Sequence, residues 1–134
     1  MSLTVSPRLL ERATAGPVDD ADFVACIRES LPYAYATVAR VADDLASGNT
    51  ADGRPFADNQ VEPPTETDRG QLLRAMASDS IRAALERHFG IRLAFQNCHR
   101  VAAFPTDASA DEAHQIFTSV RAQLLNQSPE LVNC

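Results

Sequence analysis

Cys98, His99 and Arg100 place a thiol, an imidazole and a guanidinium in three consecutive positions. A thiolate activated by a nearby base is the usual starting point for nucleophilic catalysis. Adjacent residues on an extended strand point to opposite faces, so Cys98 and His99 become a pair only where a turn reorients them. A second polar set, Asp58, Asn59 and Gln60, stands between Phe56 and Val61, two apolar residues able to pin that segment to the body of the fold. If the turn carrying Asn97 to Arg100 met it, these residues would frame a small-ligand pocket. Catalysis there would use Cys98, His99 and Arg100, with Asp58, Asn59, Gln60 and Asn97 as ligand-binding candidates. Such an enzyme needs an accessible, acidified thiol.

The remaining chemistry-bearing residues are dispersed. His88 falls on an apolar helical seam, which predicts a structural, at least half-buried imidazole, whereas His114 on a helix flank is expected in solvent. Cys26, His88, Cys98, His99, His114 and Cys134 include neither a C-x-x-C pair nor an H-E-x-x-H turn, so no metal or cofactor is expected. No two of the five glycines lie within two residues of each other, which leaves no Gly-rich phosphate loop, and no G-x-S-x-G elbow is present. Three cysteines are an odd and sparse set, unlike the dense even frameworks of small secreted domains. Reduced thiols and a cytoplasmic protein are the expectation, in line with the absence of an apolar run of spanning length or a signal-like leader.

Charge is more organised than chemistry. The chain has a net charge of -6 and a pI near 4.9, which disfavours general binding to nucleic acid or to an anionic membrane. Residues 1–68 carry five Arg against twelve acids, while residues 69–104 carry six Arg against two. All twelve basic residues are Arg, and 22 positions are Ala, as the codon bias of a GC-rich genome would produce. Planar guanidinium groups suit bidentate carboxylate pairing, within the fold or between copies. Arg69, Arg74, Arg82, Arg92 and Arg100 are the alternative candidates for an anion or nucleic-acid site. No single stripe of them forms on the second helix.

The elements that must position these residues follow from patterning. At 134 residues one domain is expected, and Leu, Val, Phe and Ile at about 23% suffice for a core. Asp19 with Asp22, and Val18 with Phe23, read as a helix start. Apolar residues then recur at Val24, Ile27, Leu31, Tyr35, Val38, Ala42 and Leu45, a single seam that Pro32 should kink. Residues 47–70 hold six of the thirteen Gly and Pro residues and read as a long polar loop, a length often associated with binding. A second long helix is expected from Thr67 or Asp68 to Phe89, stopped by Gly90, with Leu73, Ala77, Ile81, Ala84, Leu85 and His88 on its seam and Leu72, Met76 and Ala83 on a second stripe that contacts neighbours on another side. Residues 91–95 alternate in strand period and pair with residues 101–104 in a hairpin turning near Gln96–His99. A third strand, from Leu3–Val5, the Phe56 region or a partner's edge, should complete it. Ser109 and Glu112 cap a last helix with Ala113, Ile116, Phe117, Val120 and Leu124 as its core stripe, ending before a tail, 131–134, expected to fray.

The phrases FADNQ (56–60), RGQLLRA (69–75), RHFGIRLAFQNCHRVAAFP (87–105) and FTSVRAQLLNQSPEL (117–131) resemble a family of short uncharacterised proteins from GC-rich Gram-positive, actinobacterial species. That resemblance implies a free-standing domain with no assigned activity and supplies no catalytic residue. The sequence therefore predicts a helix-rich α+β single domain with three main helices, the first kinked at Pro32, and a small antiparallel hairpin. A non-enzymatic binding or regulatory domain that forms a homodimer is the favoured function. The thiol enzyme and the nucleic-acid binder are the alternatives, and no membrane partner is expected.

Overall fold

Pro32 and Ser78 each cut a predicted helix in two, and these breaks set the architecture of the helical layer. A computed structural model describes residues 2–59, 61–96 and 99–125 of the chain. The first helical stretch comprises α2 (Asp20–Ser30) and α3 (Pro32–Ser47). Proline disfavours helical geometry in the residue before it, and Leu31 accordingly sits at φ -129° and ψ 62°. Hydrogen bonding still crosses the kink: Leu31 N–H donates to Ile27 O at 2.7 Å and Tyr35 N–H donates to Leu31 O at 2.9 Å. The buried amide of Gln71 accepts from Tyr33 N–H at 2.7 Å and Ala34 N–H at 3.3 Å, satisfying donors that the start of α3 leaves without helical partners. Val24, Ile27, Leu31 and Val38 are buried along the predicted seam.

The described residues form seven α-helices, where three main ones were expected. The stretch read as one second helix is α4 (Glu66–Ala77) and α5 (Asp79–Phe89), separated by Ser78 in extended conformation. Its hydroxyl accepts from Ile81 N–H at 3.3 Å, so the residue ends one helix by capping the next. Ile81, Ala84 and Leu85 of the predicted seam and Leu72 and Met76 of the second stripe are buried, whereas Leu73 and Ala77 of the seam are exposed. Gly90 closes α5 in the left-handed conformation at φ 67°, which costs glycine little. A helix not anticipated from patterning, α1 (Pro7–Ala15), precedes these; Ser6 caps it and Pro7 begins it.

The sheet contains three antiparallel strands in the order β1-β3-β2: β1 (Ala57–Asp58), β2 (Arg92–Gln96) and β3 (Arg100–Phe104). The Phe56 region thus supplies the third strand, pairing Ala57 with Ala103 and Asp58 with Ala102. The outer edge of β2 is blunted by Glu86, whose carboxylate accepts Leu93 N–H at 2.8 Å, an arrangement that opposes pairing with a partner's strand. Strand alternation then divides the interior. Ala57, Leu93, Val101 and Ala103 face the large core formed with α2–α5. Phe56, Ala94, Ala102 and Phe104 face a smaller one with Ala110 and Phe117.

The predicted last helix is also broken. A short 3-10 turn at Ala108–Ala110, capped by Asp107, leads into α6 (Asp111–Phe117), and α7 (Val120–Leu125) follows. Thr118 Oγ1 donates to His114 O at 2.8 Å and Ser119 Oγ to Ile116 O at 2.7 Å, giving the carbonyls at the end of α6 side-chain partners. Of the predicted stripe, Phe117 is buried, whereas Ile116, Val120 and Leu124 are exposed. The tail 131–134 lies outside the described residues.

Phe104 is fully buried between Phe56 and Phe117, with ring centroids 4.8 and 5.6 Å away. Phe104→Ala should lower unfolding free energy by about 3–5 kcal/mol in urea titrations. Leu73→Ala, on the exposed side of α4, should change it by less than about 1 kcal/mol.

Candidate functional site

The segments 57–59 and 99–101, forty residues apart in sequence, lie against each other along β1 and β3. Asn59 continues the ladder with its side chain. Its backbone N–H donates to Val101 O at 3.1 Å, its Oδ1 accepts Val101 N–H at 2.8 Å, and its Nδ2 donates to His99 O at 2.6 Å. An asparagine placed this way does for the strand end what a further backbone pair would do.

Asp58 is the electrostatic centre of the cluster. Its side chain is only 4% exposed, and its carboxylate lies 2.7 Å from Arg100 and 3.1 Å from Arg54. Arg100 also donates through Nε to Asp58 at 2.8 Å and reaches Gln96 Oε1 at 3.3 Å. Both guanidinium groups stack on the small core: Arg54 lies 4.6 Å from the Phe56 ring centroid and Arg100 lies 4.9 Å from that of Phe117. The Gln96 amide donates to Phe117 O, tying the end of β2 to α6. Sequence reasoning missed Arg54 and Gln96. Their only sequence signal was proximity to Asp58 and Arg100, which becomes meaningful once β1 and β3 pair.

These contacts bring Asp58, Asn59, His99 and Arg100 together, while Gln60, Asn97 and Cys98 lie outside the described residues. Both carboxylate oxygens of Asp58 are thus engaged by guanidinium groups. Asn59 is likewise engaged on both ends of its amide. His99 Nδ1 is buried with no hydrogen-bond partner among the described residues. A cavity of about 240 Å³ bordered by Asp44, Asn49, Thr50, Ala51 and Asp58 adjoins the cluster. Among the described residues no group of three or more His, Cys, Asp or Glu side chains is arranged to hold a metal ion. His88 and His114 reverse the sequence expectation: His88 is exposed at the end of α5, and His114 is half-buried with its ring 4.9 Å from Phe104.

The expected charge pairing between the acidic first half and the Arg-rich segment includes, among the described residues, Arg100–Asp58 and Arg87–Asp20. Hydrogen bonding from Arg87 holds the Asp20 carboxyl below its ordinary value of 3.8, and bonds from the Ser109 hydroxyl and N–H do the same for Asp107. A lowered folded-state pKa gives stability that is present above the unfolded value and lost as pH falls through the folded one. Unfolding midpoints should therefore decline below about pH 4, and Asp20→Asn should flatten that decline between pH 4 and 2. Asp58→Ala should cost about 2–3 kcal/mol at neutral pH, less than the ~3–5 kcal/mol of a fully buried pair because both guanidinium groups retain contact with water.

The geometry defines a small α+β domain whose central polar cluster is part of its architecture, with the succession αααβααββαα around a three-stranded antiparallel sheet. Across residues 1–134 the chain matches the family KH_NucS_shadow, described as "NucS shadow ORF", and it belongs to that family. No curated protein and no solved structure matches it. Among the described residues no helix is long and apolar enough to cross a membrane.

Proposed function

We propose that the chain is a non-enzymatic cytoplasmic binding domain that self-associates through the outer face of α6 and α7. The observation that carries this reading is the exposure of Ile116, Val120, Leu124 and Leu125, large apolar side chains 61–77% exposed. Val120 and Leu124 lie one turn apart on α7, and Ile116 on α6 precedes them across the Thr118–Ser119 break, so the exposed apolar stripe is shared by the two helices. Contiguous apolar surface of this kind is characteristic of interaction sites. A second copy is the occupant favoured by charge: Glu112 precedes the stripe and Arg121 lies within it, so an antiparallel pairing sets each near its opposite on the other chain. The blunted β2 edge directs association to the helices.

The letters KH in the family's name evoke a module that clamps nucleotide backbones with a GXXG loop. In this chain no two glycines stand three residues apart, and Arg82, Arg87, Arg92 and Arg100 are already paired with carboxylates. These facts favour a protein partner over a nucleic acid. The words "shadow ORF" describe the family's reading frame. A GC-rich, actinobacterial source accords with a Lys-free, Ala-rich chain.

Sedimentation equilibrium at tens of micromolar should give twice the chain mass of 14.5 kDa. Val120→Asp with Leu124→Asp should return the monomer while leaving the circular dichroism spectrum intact. A wild-type protein that sediments only as monomer would refute self-association.

A further inference from the structure

We propose that α1 and the segment leading into it form a strap that opens independently of the core and gates access to the Cys26 thiol. No residue of α1 is buried, whereas α2, α3, α4 and α5 each bury at least three. Among residues 2–18, Leu3 is the one that packs against the large core. A helix of nine residues does not sustain itself in water without packing.

The tethers of the strap are few and polar. Arg12 pairs with Asp22 in an ion pair exposed on both sides. Thr4 N–H donates to Ser30 Oγ at 2.8 Å, and the Cys26 thiol donates to Thr4 O at 3.5 Å. Exposed ion pairs contribute little and weaken with salt. Between α1 and α2 lies a cavity of about 320 Å³ bordered by Arg8, Leu9, Arg12, Asp22, Cys26 and Glu29, so the two helices meet without close packing. Cys26 is buried and free, and its sulfur stands at the contact with Thr4. Opening the strap breaks these polar tethers, a further bond from the Ser30 hydroxyl to Thr4 O at 3.4 Å and the Leu3 contact, and uncovers this sulfur while leaving Ile27, Leu31 and Val38 enclosed. Local opening of this kind is drawn from the least packed elements of a fold.

Iodoacetamide labelling of the full chain, resolved at Cys26 by peptide mass spectrometry, measures strap opening. Amide exchange at Val38 and Val101 measures global opening in the same samples. Cys26 should be modified at least tenfold faster than global opening permits, with almost no dependence on urea below the unfolding transition. Asp22→Asn and, separately, Arg12→Gln should each raise the labelling rate about two- to fivefold, the range set by loss of an exposed ion pair, with Val38 exchange unchanged. Labelling that rises with urea in parallel with Val38 exchange, or that ignores both substitutions, would overturn the strap.

Discussion

The buried carboxylate of Asp58, shared between Arg54 and Arg100, is the constraint on which the rest of the fold depends. It joins a two-residue strand to β3, and a strand that short cannot hold its place through ladder hydrogen bonds alone. Asn59 extends the grip by bonding through its side chain to Val101 N–H and His99 O and through its backbone N–H to Val101 O. Because each arginine also lies over a ring of the small aromatic core, electrostatics and packing are satisfied by the same side chains. The result is a third strand fixed in register, with Phe56 turned toward Phe104 and Phe117 and Ala57 turned toward the helices.

That register explains the two cores. On a strand a shift of one residue exchanges its faces, and here the exchange would drive Phe56 into the helical layer and Asp58 out of reach of both arginines. Alanines at 57, 94, 102 and 103 keep the sheet thin, so that α3 can pack against β3 while aromatic rings fill the opposite side. The buried residues of the large core are aliphatic apart from Met76, with aromatic rings at its margin, the small core is built on three phenylalanines, and the polar cluster borders the latter. The acidic first half and the Arg-rich middle of the chain are thus partly reconciled inside one molecule. Arg87 and Asp20 repeat the pairing at the surface.

Parts of this arrangement were legible in the sequence. Pro32 and Gly90 act through backbone geometry that any context must respect, and the alternation at 91–95 followed by 101–104 could hardly be read otherwise. The Phe56 region was one of several possible third strands, since nothing local distinguishes it from Leu3–Val5; only the match of Asp58 to the distant Arg100 decides. Ser78 was missed because its neighbours on both sides sustain helical periodicity, and one capping hydroxyl outweighs that pattern. Ile116, Val120 and Leu124 follow core spacing, yet they face outward, because periodicity identifies a face without saying what covers it. The helix α1 was invisible to apolar patterning because it has no buried face to encode. Asp58, Asn59, His99 and Arg100 were recognised as residues that could meet, though the side chains of Asp58, Asn59 and Arg100 are spent on holding strands together.

A double-mutant cycle between Asp58 and Arg100, read by urea unfolding, tests the central claim most directly. Asp58→Ala, Arg100→Ala and the double variant should reveal a coupling of at least about 1.5 kcal/mol, within the range for residues sharing one buried network. Effects that add to within about 0.5 kcal/mol would contradict it, showing that the strand is held by packing alone.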